Sequence, residues 1–155
     1  LYLKSVGRGA NLLLNVPPNA TGNIAAEDSV ALIGFKKLID ANFKSNLLET
    51  NGSRIYKTKQ ETVIQLEKPT RANCISLMEN LKNGQHCSQF TIALYDKKDQ
   101  EISTIKGTTI GAKRIVTFPN LELNKIKLKI TEQKGPVNLG KIALYQIEEK
   151  LIEIE

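Results

Sequence analysis

The pattern of apolar and polar positions changes character once along the chain. Up to about residue 45, apolar residues come in an unbroken run or at helical spacing; beyond that they alternate. In the first part, Tyr2–Arg8 reads as the last turns of a helix. Gly9 is its stop, because glycine adopts the left-handed conformation that ends helices. Asn11–Val16 is a short, nearly continuous apolar run, the pattern of a strand covered on both faces as in parallel sheets. Pro17-Pro18 stops it, since proline has no N–H to give to a ladder, and Asn19-Ala20-Thr21-Gly22 supplies turn chemistry. The spacing then predicts a helix from about Ala26 to about Phe43. Glu27 and Asp28 in its first turn complement the helix dipole. Val30, Ile33 and Leu38 are expected on one side, with Lys36, Lys37 and Asp40 towards water. Gly34 inside it costs about 1 kcal/mol relative to alanine.

The second part, residues 46–149, has a period of two. It predicts strands near Arg54–Thr58, Thr62–Leu66, Cys74–Glu79, Cys87–Tyr95, Glu101–Ile105, Lys113–Phe118, Lys125–Thr131 and Lys141–Ile147. Turn signals separate them, among them Asn51-Gly52, Lys68-Pro69, Asn83-Gly84 and Pro119-Asn120. About eight short strands at this spacing indicate a mainly β fold, an antiparallel β-sandwich or jelly roll. The tail at residues 151–155 reads as a final edge strand or a frayed end. Domains are accordingly expected at 1–45, 46–150 and 151–155.

The first part carries a further implication. Helix, buried strand, loop and helix make one repeat of an α/β architecture, which cannot bury its own apolar surface, and the chain offers no second strand of that kind. Each fully buried leucine contributes roughly 1.5–3 kcal/mol, so Leu12, Leu13 and Leu14 demand cover. The expectation is a chain that begins inside a larger fold, with an apolar patch here if the rest is absent. A plainer alternative is that residues 1–45 are a helical appendage on the sandwich.

Composition adds few constraints. The 155 residues are 41% hydrophobic and 25% charged, ordinary for a globular domain. No apolar run approaches the roughly 20 residues that span a bilayer, and Leu1–Val6 is too short and too polar for a signal peptide. The net charge of +6 raises nucleic acid as a partner. The lysines are dispersed, however. Lys125, Lys127 and Lys129 alternate with Ile126, Leu128 and Ile130, the pattern of a half-buried strand. Aromatic residues make up only 5%, with no tryptophan, so base-stacking platforms are scarce and neither nucleic acid nor membrane is expected as a partner. Cys74 and Cys87 are either small core residues with free thiols or a cross-strand disulfide. Their spacing matches no zinc pattern, and the single histidine, His86, has no companions for a metal site. No cofactor is expected. Asn19-Ala20-Thr21 and Asn51-Gly52-Ser53 are glycosylation sequons on predicted loops.

Catalytic chemistry is missing where it would be sought. One histidine supports no Ser-His-Asp set. Gly7-Arg8-Gly9 follows a helix and precedes a strand, the reverse of a dinucleotide-binding fingerprint. Glu27-Asp28 and Glu148-Glu149 are adjacent in sequence and expected to be solvated.

The residues Gly7-Arg8-Gly9-Ala10-Asn11-Leu12-Leu13-Leu14-Asn15-Val16-Pro17-Pro18-Asn19, then Gly22 and Glu27-Asp28, strongly resemble the end of the catalytic barrel of α-L-fucosidases, the family 29 glycoside hydrolases. Phe35-Lys36-Lys37-Leu38 and Phe43-Lys44-Ser45-Asn46-Leu47 are similar to the family's last barrel helix and its exit. Glu79-Asn80-Leu81, Gly84-Gln85, Phe90, Gly107-Thr108-Thr109-Ile110-Gly111, Arg114 and Gly140–Tyr145 are similar to its C-terminal β-sandwich, of galactose-binding-like (discoidin-like) type. The resemblance covers nearly the whole chain, and its first block is the most specific.

It implies an exo-acting, retaining hydrolase of terminal α-L-fucose on glycans. In retaining hydrolysis one carboxyl group acts as nucleophile and another as acid/base, about 5 Å apart. In the family both carboxylates, and the histidines that hold fucose, come from earlier barrel strands. None of those motifs is present here, so no catalytic residue is assigned and the segment alone is expected to be inactive. The partner it implies is the upstream barrel. A barrel active site lies at the C-terminal ends of the strands. If Asn11–Val16 is the eighth strand, Asn15, Pro17 and Asn19 lie nearest that rim. Asn15 and Asn19 are therefore the candidate substrate-binding residues, with Asn15 satisfying loop backbone as the structural alternative. A rival reading is a non-catalytic carbohydrate-binding module using loops Asn80–Gln85, Lys97–Gln100 and Gly107–Lys113, although these loops hold no aromatic platform. The family's usual glycan substrates imply a periplasmic, secreted or lysosomal setting.

Overall fold

A computed structural model describes residues 1–58 and 61–152. Among the described residues six strands follow the helical N-terminal part: β1 (Ser53–Lys57), β2 (Glu61–Glu79), β3 (Cys87–Tyr95), β4 (Glu101–Gly107), β5 (Arg114–Gln133) and β6 (Leu139–Tyr145). All their pairings are antiparallel, in the order β1-β2-β5-β3-β4, with β6 also on β2.

The eight expected strands become six because two pairs of them are continuous. β2 runs through Pro69 and β5 through Pro119, the residues that read as turns. Both prolines lie at slips of register between β2 and β5. The pairing jumps from Gln65↔Lys125 to Thr70↔Leu123, and from Ala72↔Leu121 to Cys74↔Thr117. Extra residues on one strand bend it and leave positions where no ladder donor is needed, which is where a strand tolerates proline.

These bends create two layers from shared strands. Residues 61–65 of β2 and 125–133 of β5 lie with β1, β3 and β4. Residues 74–79 of β2, with the start of β5 on its other side, lie with β6. Ile64, Ile92, Leu94, Ile126 and Leu128 meet Ile75, Leu77, Phe118, Leu123 and Leu144 in one buried cluster. At roughly 1.5–3 kcal/mol for each buried side chain of this size, that cluster is the main source of stability. In β3 a bulge around Ser88–Gln89 brings Cys87 and Phe90 to the same buried face despite their odd spacing.

The second layer is covered on its outer face as well. Ala72–Leu77 are buried without a break, the mark of a strand with cover on both sides. The outer cover comes from the N-terminal segment, α1 (Ala26–Phe43) and the tail. Cys74, Ala143, Tyr145 and Ile147 pack with Leu3, Phe43, Ile115, Leu151 and Ile152. Phe43 stacks between Tyr2 and Tyr145, with ring centroids 5.2 and 5.3 Å apart. Both thiols are buried and free, so the disulfide alternative is set aside. Burial pushes Cys74 up to about 12, and burial with the nearby Glu79 charge pushes Cys87 up to about 11.

Buried asparagines fasten this cover to the sandwich. Asn73, fully buried, donates to the Ile147 carbonyl and accepts from the Ile147 amide, both at 2.8 Å. Asn42, at the end of α1, accepts from the Glu148 amide at 2.7 Å. Asn46 caps the short helix α2 (Leu47–Thr50) by accepting from Leu48 N, and also accepts from Leu144 N of β6 at 3.0 Å. Each amide side chain thus supplies a partner that a buried backbone group would otherwise lack.

The N-terminal part departs from expectation in two places. Helical turns do end at Gly9, which adopts φ 81°. Asn11–Val16, however, forms no strand: among the described residues no neighbouring strand offers it a ladder, and a strand is not stable without one. α1 has the expected bounds, but Val30 and Ile33 do not share a face with Leu38. Leu32, Phe35, Leu38 and Ile39 are half-buried, while Val30 and Ile33 are 71% and 56% exposed. The helix is apolar on nearly every side, so periodicity could not single out its inner face. Leu13 (93%) and Leu14 (41%) extend this exposed apolar surface, as the leucine run requires of a strand without cover.

Candidate functional site

The antiparallel order fixes which loops lie together. β3 starts where β4 ends, so the loops at Asn80–Gln85 and Gly107–Lys113 share one end of the sandwich, and Lys97–Gln100 lies at the other. Of the three loops expected to cooperate, two are brought together and the third is separated. The separated loop is a tight turn. Asp96 accepts from the Lys98 and Gln100 amides at 2.8 and 3.0 Å, and Asp99 is ion-paired with Lys125.

The end that holds two loops is organised by one carboxylate. Glu79 is 6% exposed, at the last position of β2. Its Oε1 accepts from the His86 amide (3.0 Å) and the Cys87 amide (3.1 Å), and its Oε2 accepts from the Gly111 amide (2.9 Å). Three backbone N–H groups thus converge on one buried charge, the arrangement that lets a carboxylate stay inside. The Glu79 amide also donates to the Gly111 carbonyl. A third loop joins them: Asn80 N donates to Asn138 O, and Lys134 N to His86 O. Periodicity alone marks Glu79 only as the end of a strand. The available signal was a carboxylate at a position where the alternation calls for a buried side chain.

The predicted site residues lie elsewhere. Asn15 is exposed, in the irregular stretch after Gly9. Asn19 is exposed and organises its own turn. Its Oδ1 accepts from Thr21 N (3.0 Å), Thr21 Oγ1 (2.8 Å) and Asn23 N (3.0 Å). Pro18 forms an isolated bridge with Ile24 across the same turn. The structure does not bring Asn15 or Asn19 into contact with the Glu79 loops. Among the described residues, no three His, Cys, Asp or Glu side chains are grouped to hold a metal ion. Among the described residues no helix is long and apolar enough to cross a membrane.

Comparison with known proteins gives this architecture a family. No protein-family model matches the chain. A rice protein (Oryza sativa subsp. japonica) named "Putative alpha-L-fucosidase 1" is 32% identical over 161 residues, covering 84% of this chain and 31% of the rice protein. A glycoside hydrolase 29 family member from an unknown rumen bacterium is 32% identical over 95% of this chain and 27% of its own, with a TM-score of 0.83. The GH29 fucosidase E1_10125 of Ruminococcus gnavus, solved with fucose, is 27% identical over 98% of this chain and 36% of its own, with a TM-score of 0.85. These relatives identify the chain, over most of its length, as a member of the α-L-fucosidases of glycoside hydrolase family 29, matching a C-terminal part of such an enzyme. The chain spans about a third of the length of the curated relatives it matches, 31% and 35%.

Proposed function

We propose that this chain is the C-terminal portion of an exo-acting, retaining α-L-fucosidase that removes terminal α-L-fucose from glycans, and that the two catalytic carboxylates lie outside these 155 residues. The supporting observation is the exposed apolar surface of Leu13, Leu14, Ile24, Val30 and Ile33, which lies on the segment that precedes the sandwich. Surfaces of this kind on a folded chain mark contact with further protein. In this reading residues 1–45 are the last strand and helix of a (β/α)8 barrel, and 46–150 a supporting sandwich. Asn11–Val16 gains its ladder from the rest of the barrel, and Asn15 and Asn19 then stand at the rim where the substrate enters. Fucosylated glycans are the partners, in a periplasmic, secreted or lysosomal setting.

The test is hydrolysis of 4-nitrophenyl α-L-fucoside by the 155-residue chain beside the longer natural protein. The expected result is no release of nitrophenol by the 155 residues and turnover by the longer protein, with the α-anomer of fucose as first product by NMR. Turnover by the 155 residues alone overturns the proposal. The rival carbohydrate-binding module is favoured by the meeting of two loops at Glu79. Calorimetry with fucose separates the two readings, because saturable binding by the chain supports the module and its absence leaves the sandwich as a support.

A further inference from the structure

A cleft of about 760 Å³ lies between α1, the N-terminal segment, the start of β5 and the tail. Seven consecutive residues of β5, Arg114–Asn120, line it. Neighbouring residues of a strand point to opposite faces, so a cleft that meets all seven runs along the edge of the strand. That edge is open. Over Arg114–Leu123, β5 pairs with β2 on one side, and β3 joins the other side only from Lys125 onward. An unpaired edge is a template for a further strand.

The chemistry of the walls is selective. Phe35, Leu38 and Ile39 of α1 form an apolar wall. Lys106 and Arg114 also line the cleft, with Glu149 as the one carboxylate among the described lining residues. Burial, and then the like charge of Arg8, push the Arg114 guanidinium below its ordinary range. Arg114 Nε and Asn120 Oδ1 are buried with no hydrogen-bond partner among the described residues. The first requires an acceptor and the second a donor, the two groups that a peptide strand with acidic side chains brings.

We propose that this cleft is a strand-addition site for a partner protein, taking an extended segment in which glutamate or aspartate alternates with isoleucine, leucine or valine. The segment pairs its backbone with the edge of β5 at Arg114–Thr117. Its aliphatic side chains meet α1 and its carboxylates meet Arg114 and Lys106. Ahead of the bulge at Pro119, the four residues Arg114–Thr117 at about 3.3 Å each give roughly 13 Å of regular edge, enough to pair the middle of a hexapeptide.

The test uses the isotope-labelled 155-residue chain, titrated with an acetylated, amidated peptide of three Ile-Glu repeats and followed by NMR. The expected result is saturable shifts centred on the amides of residues 114–118, with affinity that falls as salt is raised. Arg114→Glu and Lys106→Glu should each weaken binding about tenfold, the effect of about 1.4 kcal/mol. Lys106 is exposed, so its variant keeps the test valid if Arg114→Glu fails to fold. Three results each overturn the proposal: no saturable shift at millimolar peptide, equal binding of the matching Ile-Lys peptide, or binding only to a chain ending at Ile152, which would make the chain's own end the occupant.

Discussion

Removing the Glu79 carboxylate tests whether one buried charge organises an end of the sandwich. In Glu79→Ala the amides of His86, Cys87 and Gly111 lose their acceptor. His86 is half-buried, so water can replace its bond, whereas Cys87 and Gly111 are buried. An orphaned buried donor costs about 1–3 kcal/mol, so the two together cost about 2–6 kcal/mol, a large share of the 5–15 kcal/mol typical of a domain. Glu79→Gln retains one oxygen and turns an amide N–H₂ towards a backbone N–H. It should cost about 1–3 kcal/mol and remain folded. Urea denaturation gives the stability of each variant, and native-state hydrogen exchange shows where it is lost. Protection should fall at Gly111, His86 and Cys87 before it falls at Ile92 in the middle of β3. An alanine variant within 1 kcal/mol of the parent, with unchanged exchange at those three amides, would refute the reasoning.

Other substitutions and titrations probe separate parts of the fold. A Cβ added at Gly107 would come within 2.7 Å of several atoms of the Phe90 ring, which is 1% exposed and cannot swing aside. Gly107→Ala should therefore destabilise the chain by about 1–3 kcal/mol, read from the midpoint of urea unfolding. Cys74 and Cys87 have pKa values raised to about 12 and about 11, so both remain thiols at pH 8. Ellman's reagent should find neither in the native protein and both in guanidinium. Lys150, and then Asn42, hold the Glu148 carboxyl below its ordinary range. A depressed folded-state value stabilises above the ordinary carboxylate pKa and is lost as pH falls through the depressed one. An NMR titration should find that midpoint below the usual glutamate range, and Lys150→Ala should move it back up.

Elements fixed by local pattern were legible in the sequence. α1 and β3 have the bounds that helical spacing, alternation and flanking turn residues imply. Decisions that depend on distant residues were not. Pro69 and Pro119 stand in sequence much as turn prolines do; only the neighbouring strand shows that each occupies a bulge. Val30 and Ile33 look like core because the helix has apolar residues all round, and burial is decided by what lies opposite. Asn42, Asn46 and Asn73 are ordinary polar residues until the backbone groups they satisfy, 74 to 106 positions away, come within reach. Glu79 belongs to the same class: its role comes from three amides that converge only when the loops have folded.

The bends in β2 and β5 reach beyond geometry. Because each of these strands serves both layers, the sandwich has no seam along which one layer could be cut from the other. A deletion that removed either layer would take half of a long strand from its partner. Folding cannot proceed layer by layer, since the pairing of β2 with β5 spans the chain from Glu61 to Lys129. That pairing closes a long loop before any layer is complete, and such non-local contacts slow folding. The chain should unfold in one transition with no half-sandwich intermediate. Natural insertions should be confined to the turns and the two bulges, because lengthening either long strand elsewhere would shift its register.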